Sequence, residues 1–322
     1  RPRPCVAITN RDDLSHNRSL LLRPTRGYGA AMSNTLLIGD RAYSSWSLRA
    51  WLMFDAFELP CRIERTRLYS DDFPRALSRF PPTRTVPALR LADGTVVADT
   101  LAIAEELATR YPAAGLWPED PSLRAAARML CAEMHAYFAA LRSDCPMNLR
   151  VAYAGFAPSD AVRADVARID ALWAYARAMA PSDGPWLFGD YSLADAFYAP
   201  VATRIATYDL PVSDAAQAYV AAQLAHPSFR RWRAMALVDG PDQPTYAMPH
   251  ATRPWPGPVP RTASAVDEGP AENATCPYSG DPVTHFLALD GHVYGVCNAF
   301  CRDKTLADPE AWPEFMALTS AH

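Results

Sequence analysis

Lysine is almost missing from this chain: Lys304 is the only one in 322 residues, and every other basic side chain apart from histidine is arginine. Alanine is abundant beside it. The pair reads as a compositional bias of the source genome, so arginine counts carry little functional weight. A basic excess is missing too. The net charge of -4 and pI near 6.0 give no electrostatic case for a nucleic-acid partner. No apolar run approaches the roughly 18 residues that span a bilayer, so no membrane partner is expected. Cysteine is sparse and odd in number, at Cys5, Cys61, Cys131, Cys145, Cys276, Cys297 and Cys301. That argues against a secreted disulfide scaffold and favours a reducing, cytoplasmic setting.

What is present suits a globular protein of about two domains: 50% hydrophobic and 20% charged residues. Residues 1–31 carry Arg, Pro and Asn in no period and read as a disordered extension upstream of Met32. Asp12 and Asp13 speak against a transit peptide. Residues 35–39 (TLLIG) form a short apolar run, expected as a buried strand. Ser44 and Ser45 are candidate caps of a helix whose apolar side includes Leu48, Trp51, Leu52 and Phe54. A strand over 61–68 and a short helix over 71–80 follow. Strands at 86–91 and 95–98 flank the Asp93-Gly94 turn, and Asp99 caps a helix closed by Pro112. Residues 32–112 are thus an α/β unit with a mixed sheet.

Residues 121–238 read as an all-α bundle. Leu130, Met134, Tyr137 and Leu141 share one helix face, and further helices are expected at 159–179, 192–205, 213–225 and 228–237. Residues 239–275 hold eight prolines and no apolar period, which reads as an extended linker. Pattern returns in the small cysteine-bearing unit at 276–322.

Four local features then coincide: Tyr43-Ser44-Ser45-Trp46-Ser47-Leu48-Arg49 at a strand-to-helix junction, Thr85-Val86-Pro87-Ala88-Leu89, Asp99-Thr100-Leu101-Ala102-Ile103 at a helix start, and Gly189-Asp190-Tyr191-Ser192-Leu193-Ala194-Asp195. Their order and spacing resemble the cytosolic glutathione transferases over about 200 residues. The serine motif is most similar to the zeta class. The resemblance implies a thioredoxin-like N-terminal domain, a helical C-terminal domain and a homodimer that activates glutathione for attack on a small hydrophobic electrophile. It makes Ser44 the thiolate donor, with Ser45 second. It implies a cis-proline turn at Val86-Pro87 that pairs with the glutathione backbone, and a grip of Asp99 and Thr100 on the γ-glutamyl group. It makes Asp195 and Ser192 a capping box.

The physics of thiol activation agrees. Lowering a thiol pKa by about 2 units takes about 2.7 kcal/mol. A hydroxyl donating to the sulfur supplies roughly 1.5–3 kcal/mol, and a helix N-terminus about 0.3–1 kcal/mol. A serine at a helix start provides both.

The chain departs from the family at two places. Trp46 stands where the zeta pattern has cysteine, which weakens a maleylacetoacetate isomerase reading. Pro82-Thr83-Arg84-Thr85 replaces a segment that often holds glycine and lysine, leaving Arg84 as a candidate for the glycine carboxylate. The electrophile pocket is expected near Met134, Tyr137 and Phe138, although core packing is the readier explanation of their helical spacing. His135, Arg142 and Arg150 are polar candidates beside it. At the C-terminus, Cys276-Pro277-Tyr278-Ser279-Gly280 and Cys297-Asn298-Ala299-Phe300-Cys301 resemble YHS or TRASH-like metal-binding modules. Three thiolates suit zinc or another soft metal, with His285, His292 or Asp303 as fourth ligand; a metal-free tail is the alternative. Three functions stay open: a conjugating or peroxide-reducing transferase, a glutathione-dependent isomerase, and a non-catalytic binding module with a sensing tail.

Overall fold

The computed structural model describes Ile8–Thr9 and residues 33–320. The extension expected at 1–31 lies outside the described residues, except that Ile8–Thr9 form an edge strand, β1. The central strand β2 (Thr35–Ile38) is buried along its length. Leu36 and Ile38 point into the main core, whereas Leu37 points into a second cluster with Leu77, Phe80 and Val86. This two-residue alternation lets one short strand carry both faces of the sheet. Helix α1 (Ser45–Asp55), strand β3 (Arg62–Arg65), helix α2 (Asp72–Leu77), strands β4 (Ala88–Arg90) and β5 (Val96–Ala98), and helix α3 (Thr100–Arg110) complete the first unit. The sheet order is β1-β3-β2-β4-β5; β1 and β2 pair parallel to β3, and β4 pairs antiparallel to β2 and β5. The expected element order and mixed sheet are both present.

The helical half holds α4 (Pro121–Ala136), α5 (Ala139–Asp144), α6 (Asp160–Met179), α7 (Leu193–Tyr208), α8 (Asp214–Ala225) and α9 (Pro227–Val238), with a short strand β6 (Ala152–Tyr153). Ser159 and Ser213 cap α6 and α8 through their side chains. All 16 residues of α7 are buried. A helix apolar on every side belongs at the centre of a bundle. Its one carboxylate, Asp195, completes a capping box with Ser192 and accepts from the Leu187 amide and the Tyr219 hydroxyl at 3.1 and 3.0 Å. Burial pushes its pKa up to about 6 against those bonds, and its role is structural.

Two expectations are corrected. The single helix face through Leu130, Met134, Tyr137 and Leu141 is interrupted: Phe138 takes φ 62°, ψ 44°, ending α4 and restarting the chain as α5. The break rotates Tyr137 outward to 66% exposure while its three companions stay buried. Nor is 239–275 an extended tether. Its first residues lie against the α/β unit: Asp239 is ion-paired with the buried Arg41 at 2.5 Å, and Gln243 donates to Asp40 at 2.9 Å. Strand β7 (Thr252–Arg253) pairs with β6, and β8 (Ala263–Val266) is an edge strand of the C-terminal sheet. Backbone and side-chain bonds to the body of the protein, invisible to composition, hold this stretch.

The C-terminal unit adds β9 (His285–Leu289), β10 (His292–Val296), α10 (Ala299–Ala307) and α11 (Pro313–Thr319). Its sheet runs β10-β9-β8. Its core residues Leu287, Tyr294, Val296 and Phe315 belong to the same hydrophobic cluster as the bundle. Arg230 of α9 grips Asp308 with two bonds of 2.8 and 2.7 Å.

His226 ends α8 and caps α9, its Nδ1 accepting the Ser228 amide at 3.2 Å, stacked 4.2 Å from Tyr191. Burial, then the charge of Arg231, lowers its pKa from 6.5 to about 4. The folded state therefore holds neutral histidine where the unfolded chain protonates it. The resulting stabilisation is complete above pH 6.5 and is lost as pH falls through about 4. His226→Asn keeps a capping oxygen without titrating. It should flatten the fall in urea midpoint between those pH values relative to the parent; an unchanged profile would contradict the assignment.

Candidate functional site

Ser44 is the N-cap of α1, buried, with extended backbone angles (φ -86°, ψ 91°). Its oxygen accepts the Ser47 amide at 3.3 Å, and its hydroxyl donates to Ser47 Oγ at 2.8 Å. Ser47 Oγ in turn accepts the Gly39 amide at 3.0 Å. The single Ser44 proton therefore has Ser47 as its partner here, and it must turn from that oxygen to reach a sulfur. Ser45 is the first helical residue and half-buried. The first-turn amides of α1 have no intrahelical acceptors, so they add positive potential beside Ser44.

The Val86–Pro87 peptide is cis, as expected, with both residues buried. Arg84, two residues earlier, is exposed. Asp99 caps α3: Oδ1 accepts the Leu101 and Ala102 amides at 2.8 and 3.4 Å. Its backbone sits at φ 74°, ψ 135°, a conformation that a residue with a Cβ rarely adopts. Its other oxygen, Oδ2, lies 3.2 Å from His135 Nε2 on α4. Thr100 is 1% exposed, and its hydroxyl has no hydrogen-bond partner among the described residues. A buried hydroxyl of this kind costs about 1–3 kcal/mol until a partner arrives.

The pocket candidates separate. Met134 and Phe138 belong to the core, and Tyr137 stands on the surface beside an open groove of about 400 Å³ along the α4–α5 break. Arg142 donates to the Met134 and His135 carbonyls, acceptors that α4 leaves open where it stops. Arg150 binds Asp242 and the carbonyls of Ala236, Asp239 and Gly240, so it fastens the chain after α9 and does not face the α4–α5 groove.

Sequence reading missed the surroundings of Tyr43. Its hydroxyl donates to Asp242 at 3.1 Å and accepts the Gln243 amide at 3.3 Å, and its ring packs 4.8 Å from Tyr246. Residues beyond the bundle thus roof the residue next to Ser44. Trp46 and Arg49 were read as part of the serine motif, but their contacts with Arg142, His135 and the Phe197 carbonyl depend on which helices pack over α1 and had no local signal.

At the C-terminus the Sγ atoms of Cys276, Cys297 and Cys301 lie within 4.8 Å of one another. Cys276 and Cys301 are buried. Ser279 and Asn298 donate to Cys297 Sγ at 3.4 and 3.3 Å. Convergent buried thiols are a donor set that fits a soft ion. The expected fourth ligands are corrected: among the described residues neither His285, His292 nor Asp303 joins the group. His285 contacts Thr284, His292 pairs with Glu272 at 3.1 Å, and Asp303 accepts from Arg302.

Residues 43–110 match the family model of the glutathione S-transferase N-terminal domain. The chain has a thioredoxin-like domain of that kind joined to a mostly helical part, with a cysteine cluster near its C-terminus. Protein IN2-1 of Zea mays is 26% identical over 167 residues, covering 52% of this chain and 63% of that protein. Its homolog A from Oryza sativa subsp. japonica is 25% identical over the same length and shares. The chain thus spans less than two thirds of these relatives. Among solved structures, a glutathione transferase homolog from Burkholderia GL BGR1 with bound glutathione is 25% identical, covering 63% of this chain and 98% of that one, with a TM-score of 0.49. Glutathione transferase Omega 3C from Trametes versicolor is 18% identical, covering 67% and 92%, with a TM-score of 0.48. In the described residues no helix is long and apolar enough to cross a membrane.

The orphaned hydroxyl of Thr100 gives a test of the site's geometry. Thr100→Val should leave the free protein as stable or raise its stability by about 1 kcal/mol in chemical denaturation. A clear loss of stability would mean that the hydroxyl has a partner.

Proposed function

We propose that this protein is a glutathione transferase in which Ser44 stabilises the glutathione thiolate for attack on a small electrophile. The observation that carries the reading is a buried serine hydroxyl at the start of α1, its proton held by the Ser47 hydroxyl, from which it would turn to a sulfur. A thiolate seated there gains one charge-assisted hydrogen bond and the positive end of α1. The Val86 backbone and the Asp99–Thr100 helix start hold the peptide part of glutathione, with Arg84 at its glycine carboxylate. The thiolate lone pair forms the carbon–sulfur bond while the leaving group departs with its electron pair. Trp46 in the cysteine position favours conjugation over isomerisation. The protein acts as a cytoplasmic homodimer.

Ser44→Ala should keep glutathione binding and lose most of the thiolate ultraviolet absorbance at pH 7. From a loss of roughly 1.5–3 kcal/mol, kcat/KM should fall about 10- to 150-fold. Full absorbance in that variant, together with its loss in Ser45→Ala, would move the role to Ser45.

A second reading concerns the tail. Cys276, Cys297 and Cys301 would hold zinc or another soft metal, joining the turn at Cys276 to the residues that open α10. A unit of this size rarely stabilises a core alone. Protein purified without chelator should carry about one equivalent of metal per chain by mass spectrometry, reduced in Cys276→Ser. Substoichiometric metal in the parent would sink this reading.

A further inference from the structure

Around Trp46, between α1 and the helices that cover it, cationic groups gather with little to neutralise them. The Arg49 and Arg142 guanidinium carbons lie 4.4 and 5.0 Å from the Trp46 ring centroid. The His135 ring meets that indole edge-on at 5.2 Å. Arg204 adjoins them. Burial and then mutual repulsion pull Arg49 well below its usual range, and Arg204 down to about 10. Their acceptors are neutral: Arg49 binds the Phe197 carbonyl, Arg142 those of Met134 and His135, and Arg204 those of Cys145 and Pro200. Two acids are near. Asp165 attracts Arg142 and accepts the Leu141 amide at 2.9 Å; Asp99 reaches His135 and is half exposed. Arg49 Nη1, Arg142 Nε and His135 Nδ1 are buried and have no hydrogen-bond partner among the described residues. Unpartnered polar atoms of this kind are rare in folded proteins, and three share one indole.

We propose that the electrophile taken by this site is an organic acid, its carboxylate received by Arg142 beside Trp46, with Arg49 supplying further positive potential. The inference rests on Ser44 as thiolate donor. Trp46 belongs to the first turn of α1, two residues after Ser44. An aromatic acid also gains a stacking face on the indole. In the reaction the glutathione sulfur bonds to the carbon bearing the leaving group, that group departs with its electron pair, and the carboxylate is unchanged.

The test uses the full chain saturated with glutathione. Calorimetric titration compares 3-nitrobenzoate with 3-nitrobenzamide, which differ in charge and little in shape. The acid should bind at least tenfold more tightly. Arg142→Gln should bring the two within about twofold, and Arg142→Lys, which keeps the charge, should retain most of the preference. Equal affinities, no saturable nitrobenzoate binding, or an equal loss for both ligands in Arg142→Gln with native circular dichroism would overturn the proposal. Turnover of 4-chloro-3-nitrobenzoate and its amide, each relative to its uncatalysed rate, should show the same preference. The thiolate absorbance of bound glutathione separates the two readings. Its absence in the parent protein sinks the site as a whole; its presence without an acid preference sinks this inference alone.

Discussion

The ion pair between Arg41 and Asp239 is the constraint on which the rest of the structure depends. Arg41 lies just before α1, and Asp239 just after α9, 198 residues later. Both side chains are almost wholly buried. Burial lowers the pKa of the guanidinium, and the adjacent carboxylate opposes this. Arg65 from β3 adds a second contact to Asp239 at 3.0 Å, and the Arg41 carbonyl accepts the Trp232 indole N–H at 2.9 Å. One cluster thus fixes the loop that delivers Ser44, the sheet and the last bundle helix relative to each other. Removing one member of such a pair costs about 3–5 kcal/mol, because the other charge stays buried. The position of Ser44 is set from far away in sequence.

From Arg41 the same logic runs outward. Arg231, on the same helix as Trp232, binds Asp55 at the end of α1 and reaches the Ala311 carbonyl of the C-terminal unit. Arg230 beside it binds Asp308. Helix α9 is therefore a common support for the thioredoxin-like domain and the cysteine-bearing unit. Within that unit Lys304 is held between the rings of Tyr278 and Trp312, 3.3 and 3.2 Å from their centroids. The solitary lysine of the chain thus joins the residues after Cys276 to α10 and to the turn before α11.

Local chemistry was legible in the sequence. Ser44, Asp99, Ser159, Ser192 and Ser213 each start the helix that their position predicts, because a cap is decided within three residues of itself. The Asp93-Gly94 turn and the strand, helix, strand, helix, strand, strand, helix order follow from equally short-range signals. The candidate thiol site was readable because its parts are helix starts and a proline turn. The break at Phe138 was not, since the apolar spacing continues smoothly through it; Arg142 folding back on the α4 carbonyls accompanies it. The course of 239–275 was hidden for the same reason. Its prolines exclude regular helix, yet Asp239, Asp242 and Gln243 find partners in the first domain that no composition records.

The roof over Tyr43 has a consequence for how this protein is divided. The helices of the transferase-like half end at Val238, yet Asp242, Gln243 and Tyr246 close over the residue preceding Ser44, and β8 from the same stretch borders the C-terminal sheet. The proline-rich stretch is therefore shared property, serving one neighbour at its beginning and the other at its end. A recombination that joined this bundle to a different tail at residue 238 would inherit every helix and still leave the entrance to α1 unroofed. A change at the start of that stretch is thereby felt at the Ser44 end of the molecule, far from it in sequence.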